Sequence, residues 1–156
     1  MKSRFRFFLS SPQGPASILL IRLAVGRIFL TQGIFKYIDP KMGVDRFTKI
    51  GFPHPYFTAD FVGALEIVCG LPVLLGRRTR AAAVPLLMII TTAIATTKIP
   101  ELFRPNQGFW YMMTDARADF AMFCSLAFLI SVGGGAWSLD VRRSSGNNPG
   151  RRNETL

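Results

Sequence analysis

Acids are scarce in this chain. Its 156 residues carry 9 Asp and Glu against 19 Lys and Arg, a formal net charge of +10. A basic excess suits either nucleic acid or a membrane surface. Here the basic residues stand in short clusters between long apolar runs, as in the inward-facing loops of membrane proteins, which argues against nucleic-acid binding. Cysteine and histidine are equally sparse. Cys69 and Cys124 both lie in apolar stretches, form no CxxC and have no Cys/His spacing suited to zinc, so both read as small buried hydrophobes and no metal site is expected. His54, the only histidine, lies between two prolines and reads as a plain polar loop residue. There is no dinucleotide-binding fingerprint and no histidine inside an apolar run to ligate haem, so nothing in the chain holds electrons by itself. No A-x-A-like site follows the first apolar run, and no cleaved signal is expected.

What is abundant is apolar length. Hydrophobic residues make up 49% of the chain, and they fall into runs long enough to cross a bilayer core, which needs about 20 helical residues. The expected fold is all-α: a polytopic membrane protein, a four-helix bundle with spans at about 16–37, 57–75, 81–99 and 116–133. Residues 1–15 interleave Lys2, Arg4 and Arg6 with Phe5, Phe7 and Phe8 and read as an interfacial segment. The transmembrane domain runs over 16–140, and the basic tail 144–156 has no apolar periodicity and reads as disordered. The N-terminus, the Arg77–Arg80 turn and the tail hold ten Lys and Arg, which predicts both termini in the cytoplasm and the long loops outside.

The second span, Phe57–Leu75, organises the rest. Glu66 lies near its centre, with Gly63 and Gly70 on the same helical face. A mid-membrane carboxylate is costly and marks a candidate functional site, and the flanking small residues let a neighbouring helix approach it. The first span carries Arg22, Arg27, Gln32 and Lys36. Lys36 and Arg22 are near enough to the ends to snorkel; Arg27 is not, and it lies at about the depth of Glu66, so an Arg27–Glu66 pair is expected. Residues 38–56 read as a loop, with Gly51–Pro55 too rich in proline to be helical. In the third span Pro85 falls in the first two turns. Thr91, Thr92, Thr96 and Thr97 read either as hydroxyls bonding back to their own helix or as part of a polar path with Lys98. Residues 100–115 read as loop or interfacial helix. Asp119 lies in the first turn of the fourth span, where it is equally a helix-dipole feature. Gln32, Lys36, Lys98, Asp119 and His54 are expected to gather in the outer third, above Arg27 and Glu66, and to mark a polar pocket inside the bundle that opens outward under the loops.

Several short motifs together resemble the DoxX family: Arg22-Leu23-Ala24-Val25-Gly26, Phe29, Gln32-Gly33 and Lys36, then Gly51-Phe52-Pro53, then Gly63-Ala64-Leu65-Glu66, Gly70, Gly76 and Thr79-Arg80, and finally Ser138-Leu139-Asp140. The match covers about residues 18–140. The resemblance implies a four-helix protein of the bacterial inner (plasma) membrane, related to small subunits of thiosulfate–quinone oxidoreductase. It also implies a partner redox subunit or a homo-oligomer in the lipid bilayer. Two departures stand out: Gln32 occupies a position where relatives often have histidine, and Pro72 interrupts the second helix, where it is expected to free a carbonyl beside the pocket. With no intrinsic cofactor, a quinone would carry any redox chemistry. Arg27, Gln32 and Lys36 would donate hydrogen bonds to it, with Phe29, Phe35, Phe52 and Phe57 as walls and Glu66 or Asp119 exchanging protons. The competing readings are an anchoring subunit without chemistry and, less favoured because no inverted repeat is evident, a small transporter.

Overall fold

A computed structural model describes residues 15–103 and 108–139, and every regular element among them is helical. The elements are α1 (Ile18–Ile38), α2 (Val44–Ile50), α3 (Pro55–Leu75), α4 (Thr79–Ala93), α5 (Ile99–Leu102), α6 (Gly108–Asp115) and α7 (Arg117–Val132), with a π turn, Ile94–Lys98, joining α4 to α5. Among the described residues, three helical stretches are long and apolar enough to cross a membrane: α1, α3 and the continuous run Thr79–Leu102. Helix α7 has 16 residues. Large apolar side chains stand fully outward, among them Leu20, Val68, Met88 and Phe120, as lipid-facing residues do. The protein is a membrane protein.

Local chemistry sets the breaks. Helix α1 ends where Asp39 and Pro40 turn the chain, and Asp39 accepts the Lys41 N–H at 3.0 Å. The loop expected at 38–56 contains a two-turn helix, α2, which closes on Gly51 at φ +90°. Pro55 is the first residue of α3, so that helix begins two residues earlier than expected; proline is well suited to a position with no helical N–H partner to lose. At its other end Gly76 takes φ +70°, Arg77 N–H reaches Pro72 O at 2.9 Å and Gly76 N–H reaches Val73 O at 3.2 Å, a Schellman closure. Pro72 falls in this last turn. The carbonyl its ring leaves without a helical donor, that of Val68, belongs to an outward-facing residue rather than to one beside Glu66.

Helix α1 packs chiefly on α3, and α4 packs on α7 and on α3. The shared core includes Ile18, Val25, Phe29, Cys69, Val73, Leu86, Ile90, Leu126 and Leu129. Cys69 is buried as expected, whereas Cys124 is exposed on α7. All four threonines near the π turn bond back to their own helix: Thr91 to Leu87 O at 2.7 Å, Thr92 to Met88 O at 2.9 Å, Thr96 to Thr92 O at 2.8 Å and Thr97 to Ala93 O at 2.6 Å. The aromatic segment after residue 107 is helical, with Trp110 81% exposed. The expected N-terminal interfacial segment, Asp140 and the basic tail lie outside the described residues.

Candidate functional site: a charged seam between two helices

The α1·α3 contact is built on glycine. Gly26 and Gly33 in α1, and Gly63 and Gly70 in α3, lie where the two antiparallel backbones approach most closely. A Cβ on Gly33 would stand 2.9 Å from Gly63 O, and one on Gly26 would stand 2.9 Å from the Leu74 backbone. The α1 stripe is Arg22, Gly26, Phe29, Gly33 and Lys36; the α3 stripe is Ala59, Gly63, Glu66, Gly70 and Val73. Both step by four and three, the spacing that keeps one face of a helix on its partner. Each stripe therefore carries its charged residues into the contact.

At one end of the seam Lys36 Nζ meets Glu66 Oε2 at 2.5 Å, with the two side chains 9% and 5% exposed. Arg46 of α2 adds positive potential at Glu66. A Cβ on Gly43 would collide with the Lys36 carbonyl, so the start of α2 lies directly against the end of α1. Tyr37 donates its hydroxyl to Asp60 O at 2.7 Å, tying the two helices beside the pair.

The expected Arg27–Glu66 pair is not formed. Arg27 is exposed on the outer face of α1, and Lys36 takes its place beside Glu66. Equal depth did not suffice, because Arg27 is one residue on from Gly26 and so turned about 100° from the stripe. Gln32 is half-buried, and its side-chain amide makes no hydrogen bond among the described residues. Phe29 is buried in the core, while Phe52 is half-buried with its ring centroid 5.5 Å from that of Phe47. Phe35 and Phe57 point outward and do not wall Glu66. Lys98 is brought to Asp119, 3.7 Å away, and also binds Asp115. The Lys98 hydrogen bond holds the Asp115 carboxyl below its ordinary value, against the opposing effect of burial. His54, exposed, precedes α3 and accepts the Thr58 hydroxyl on its carbonyl at 2.8 Å.

The opposite end holds residues that sequence reasoning underrated. Arg22 is 2% exposed. Its Nε donates to Val73 O at 3.1 Å, Nη2 to Leu74 O at 3.0 Å, and Nη1 to Gly134 O and Trp137 O at 2.9 and 3.1 Å. Arg80 Nη2 donates to Ser131 O at 2.9 Å and Val132 O at 3.3 Å. Two arginines thus cover the carbonyl ends of α3 and α7, where helices lack donors and carry partial negative charge. Any side chain at position 76 would strike the Arg22 guanidinium. A cleft of about 460 Å³, lined by Leu19, Leu75, Trp137 and Ser138, lies at this end rather than around Glu66. The signal for Arg22 was its step of four from Gly26, which places it on the glycine stripe and not toward the headgroups.

Comparison with known proteins fits this arrangement. The DoxX family model matches residues 17–99, which include the whole seam. A Mycobacterium tuberculosis protein described as "Uncharacterized membrane protein Rv3486" is 48% identical over 137 residues, covering 85% of this chain and 84% of that one. The Bacillus subtilis protein described as "Putative oxidoreductase CatD" is 32% identical over 95 residues, 61% of this chain and 69% of that one. No solved structure matches. The chain belongs to the DoxX family.

Proposed function

We propose that the protein is an integral membrane subunit of a quinone-linked oxidoreductase, and that Lys36–Glu66 is its working pair. One observation carries the reading: a titratable carboxylate and ammonium, each less than a tenth exposed, held between two membrane-length helices. Intramembrane ionisable pairs are the usual material of proton relays. The oxidoreductase description of the Bacillus relative supports a redox context.

The residues beside the pair suit a quinone headgroup in part. Lys36 has three donors and gives one to Glu66, and Gln32, one turn earlier on α1, has a half-buried amide with no partner among the described residues. These two would hold the carbonyl oxygens, with Phe29 and Phe52 bounding the space. Arg27 faces away and has no part in it. A bound quinone would supply the electron-accepting chemistry. Glu66 would take up or release a proton, while Lys36 and Arg46 would hold its charged form in place. Asp119, tied to Lys98, would relay protons nearer the surface.

Helix α7 would make a fourth crossing, with α6, joined to it through Ala116, at the membrane surface: Ala116 N–H bonds Met112 O and its own carbonyl accepts Phe120 N–H, each at 2.8 Å. Both termini and the Arg77–Arg80 turn would face the cytoplasm of a bacterial cell, following the clustered basic residues. A second reading, an anchoring subunit without chemistry, is favoured by the glycines on either side of the pair, since a buried ion pair can simply fix helix register.

Solvent extraction of protein purified in mild detergent, followed by mass spectrometry, separates the two. Quinone enriched above its share of co-purifying lipid, and lost in Glu66→Gln protein that remains folded, is the expected result. Equal quinone in both proteins, or Glu66→Gln protein that loses folded yield and activity in proportion, would favour the anchor.

A further inference from the structure

We propose that Arg27 marks a docking face for a membrane-spanning helix of a second protein, one that carries an aspartate or glutamate near its middle. This inference does not rest on quinone chemistry and holds equally for an anchoring subunit.

Arg27 stands near the centre of α1, which spans Ile18–Ile38. At ~1.5 Å per residue it is about 14 Å from one end and about 17 Å from the other. Its side chain is exposed and makes no hydrogen bond or ion pair among the described residues. A guanidinium at that depth facing hydrocarbon is costly, and intramembrane arginines almost always turn inward or pair. Arg22 does this twenty-odd ångströms' worth of helix from Lys36, with its donors spent on four backbone carbonyls. Arg27 finds nothing of the kind among the described residues.

The surrounding face is suited to a helix. Leu20, Ala24, Arg27, Thr31, Ile34 and Ile38 are all exposed and step by four and three along α1. The small residues Ala24 and Thr31, one turn on either side, allow close approach, and Thr31 turns its hydroxyl back to Arg27 O at 3.0 Å. Charge complementarity then sets the partner's chemistry. In a low-dielectric setting a carboxylate is the group that most strongly offsets a guanidinium.

A second copy of this chain does not supply it. Glu66, the carboxylate near mid-span, is 4% exposed and occupied by Lys36. Asp60 lies in the second turn of α3, toward the end away from Arg22, and Asp119, in the first turn of α7, is held 3.7 Å from Lys98. A two-fold contact through this face would set Arg27 against Arg27.

The test is photocrosslinking in native membranes, with a photoreactive amino acid at Ala24 and, separately, at Thr31 of the full chain. The expected product is a crosslink to one membrane protein whose spanning segment has a central Asp or Glu. Arg27→Leu should cut its yield about tenfold, Arg27→Lys should retain most of it, and Arg27→Glu should regain it when the partner's carboxylate is changed to lysine. Arg27→Leu protein should elute and melt in detergent as the wild type does. Crosslinks only to lipid, only to a second copy or to a protein without such a carboxylate would overturn the proposal. So would an unchanged yield in Arg27→Leu, or an Arg27→Leu protein that fails to fold.

Discussion

The two ends of the α1·α3 seam solve one problem in two ways. Each end buries a cation on the same stripe of α1, Arg22 at one and Lys36 at the other. Arg22 is surrounded by backbone carbonyls, which do not titrate and cannot leave. Lys36 is matched by Glu66, whose charge depends on a proton. The first arrangement has a single charge state and fastens α3 and the segment after α7 to α1. The second has more than one, and it is the end to which the proposed chemistry belongs. Burial alone therefore does not separate structural from functional charge; the partner does.

Breaking the Arg22 end should have the largest effect. Arg22→Met removes four charge-assisted bonds and leaves their carbonyls short of donors, and we expect a loss on the order of 4 kcal/mol in unfolding free energy measured in detergent. If Arg22→Met costs less than Lys36→Met, the assignment of this end as the fastening is wrong. At the other end, Lys36→Met should cost about 3 kcal/mol by stranding Glu66, and adding Glu66→Leu should recover much of that loss, as replacement of both members of a buried pair often does. The same double variant should have no proton-linked activity, a split that Arg22→Met cannot produce. Between the ends, Gly26→Ala should cost about 2 kcal/mol because its Cβ meets the Leu74 backbone, whereas Gly63→Ala should cost about 1 kcal/mol because its Cβ meets the Tyr37 ring, which can move.

The smallest effect lies outside the seam, at Asp115. Its carboxyl is held below the ordinary value of 3.8 by the hydrogen bond from Lys98. A depressed acid contributes its stability above the unfolded value, so the Lys98 tie is complete above about pH 4 and is lost as the pH falls through the lower folded value. With Asp115 43% exposed, solvent screens the effect to a small one. Trp110 fluorescence should be flat from neutral pH to about pH 5, and a small acid-side step should vanish in Lys98→Met. A step near neutral pH would point to a different group.

Much of this was legible without coordinates. The apolar runs locate α1, α3 and α4 because a bilayer demands that length, and Gly63, Glu66 and Gly70 read as one face because helical geometry leaves no alternative. Pro85 and the threonines behave as local rules require. What misled was rotation. Arg27 and Glu66 share a depth, and depth can be counted along a sequence, but the azimuth of each residue about its helix depends on which face meets the neighbour. The helix α2 was hidden in a loop reading because seven residues between turn signals are too few for a period to be recognised, and its place is set by contact with α3.

Composition and spacing by themselves determined that this is an all-helical membrane protein with a charged glycine stripe, since apolar length and helical period act within a single segment. Only the tertiary structure decided that Lys36 rather than Arg27 meets Glu66, that Arg22 closes the ends of other helices, and that Arg27 is left facing outward. Those outcomes depend on how two helices rotate to bring Gly33 onto Gly63 and Gly26 onto Gly70, a contact between residues about 30 to 44 positions apart that no local pattern encodes.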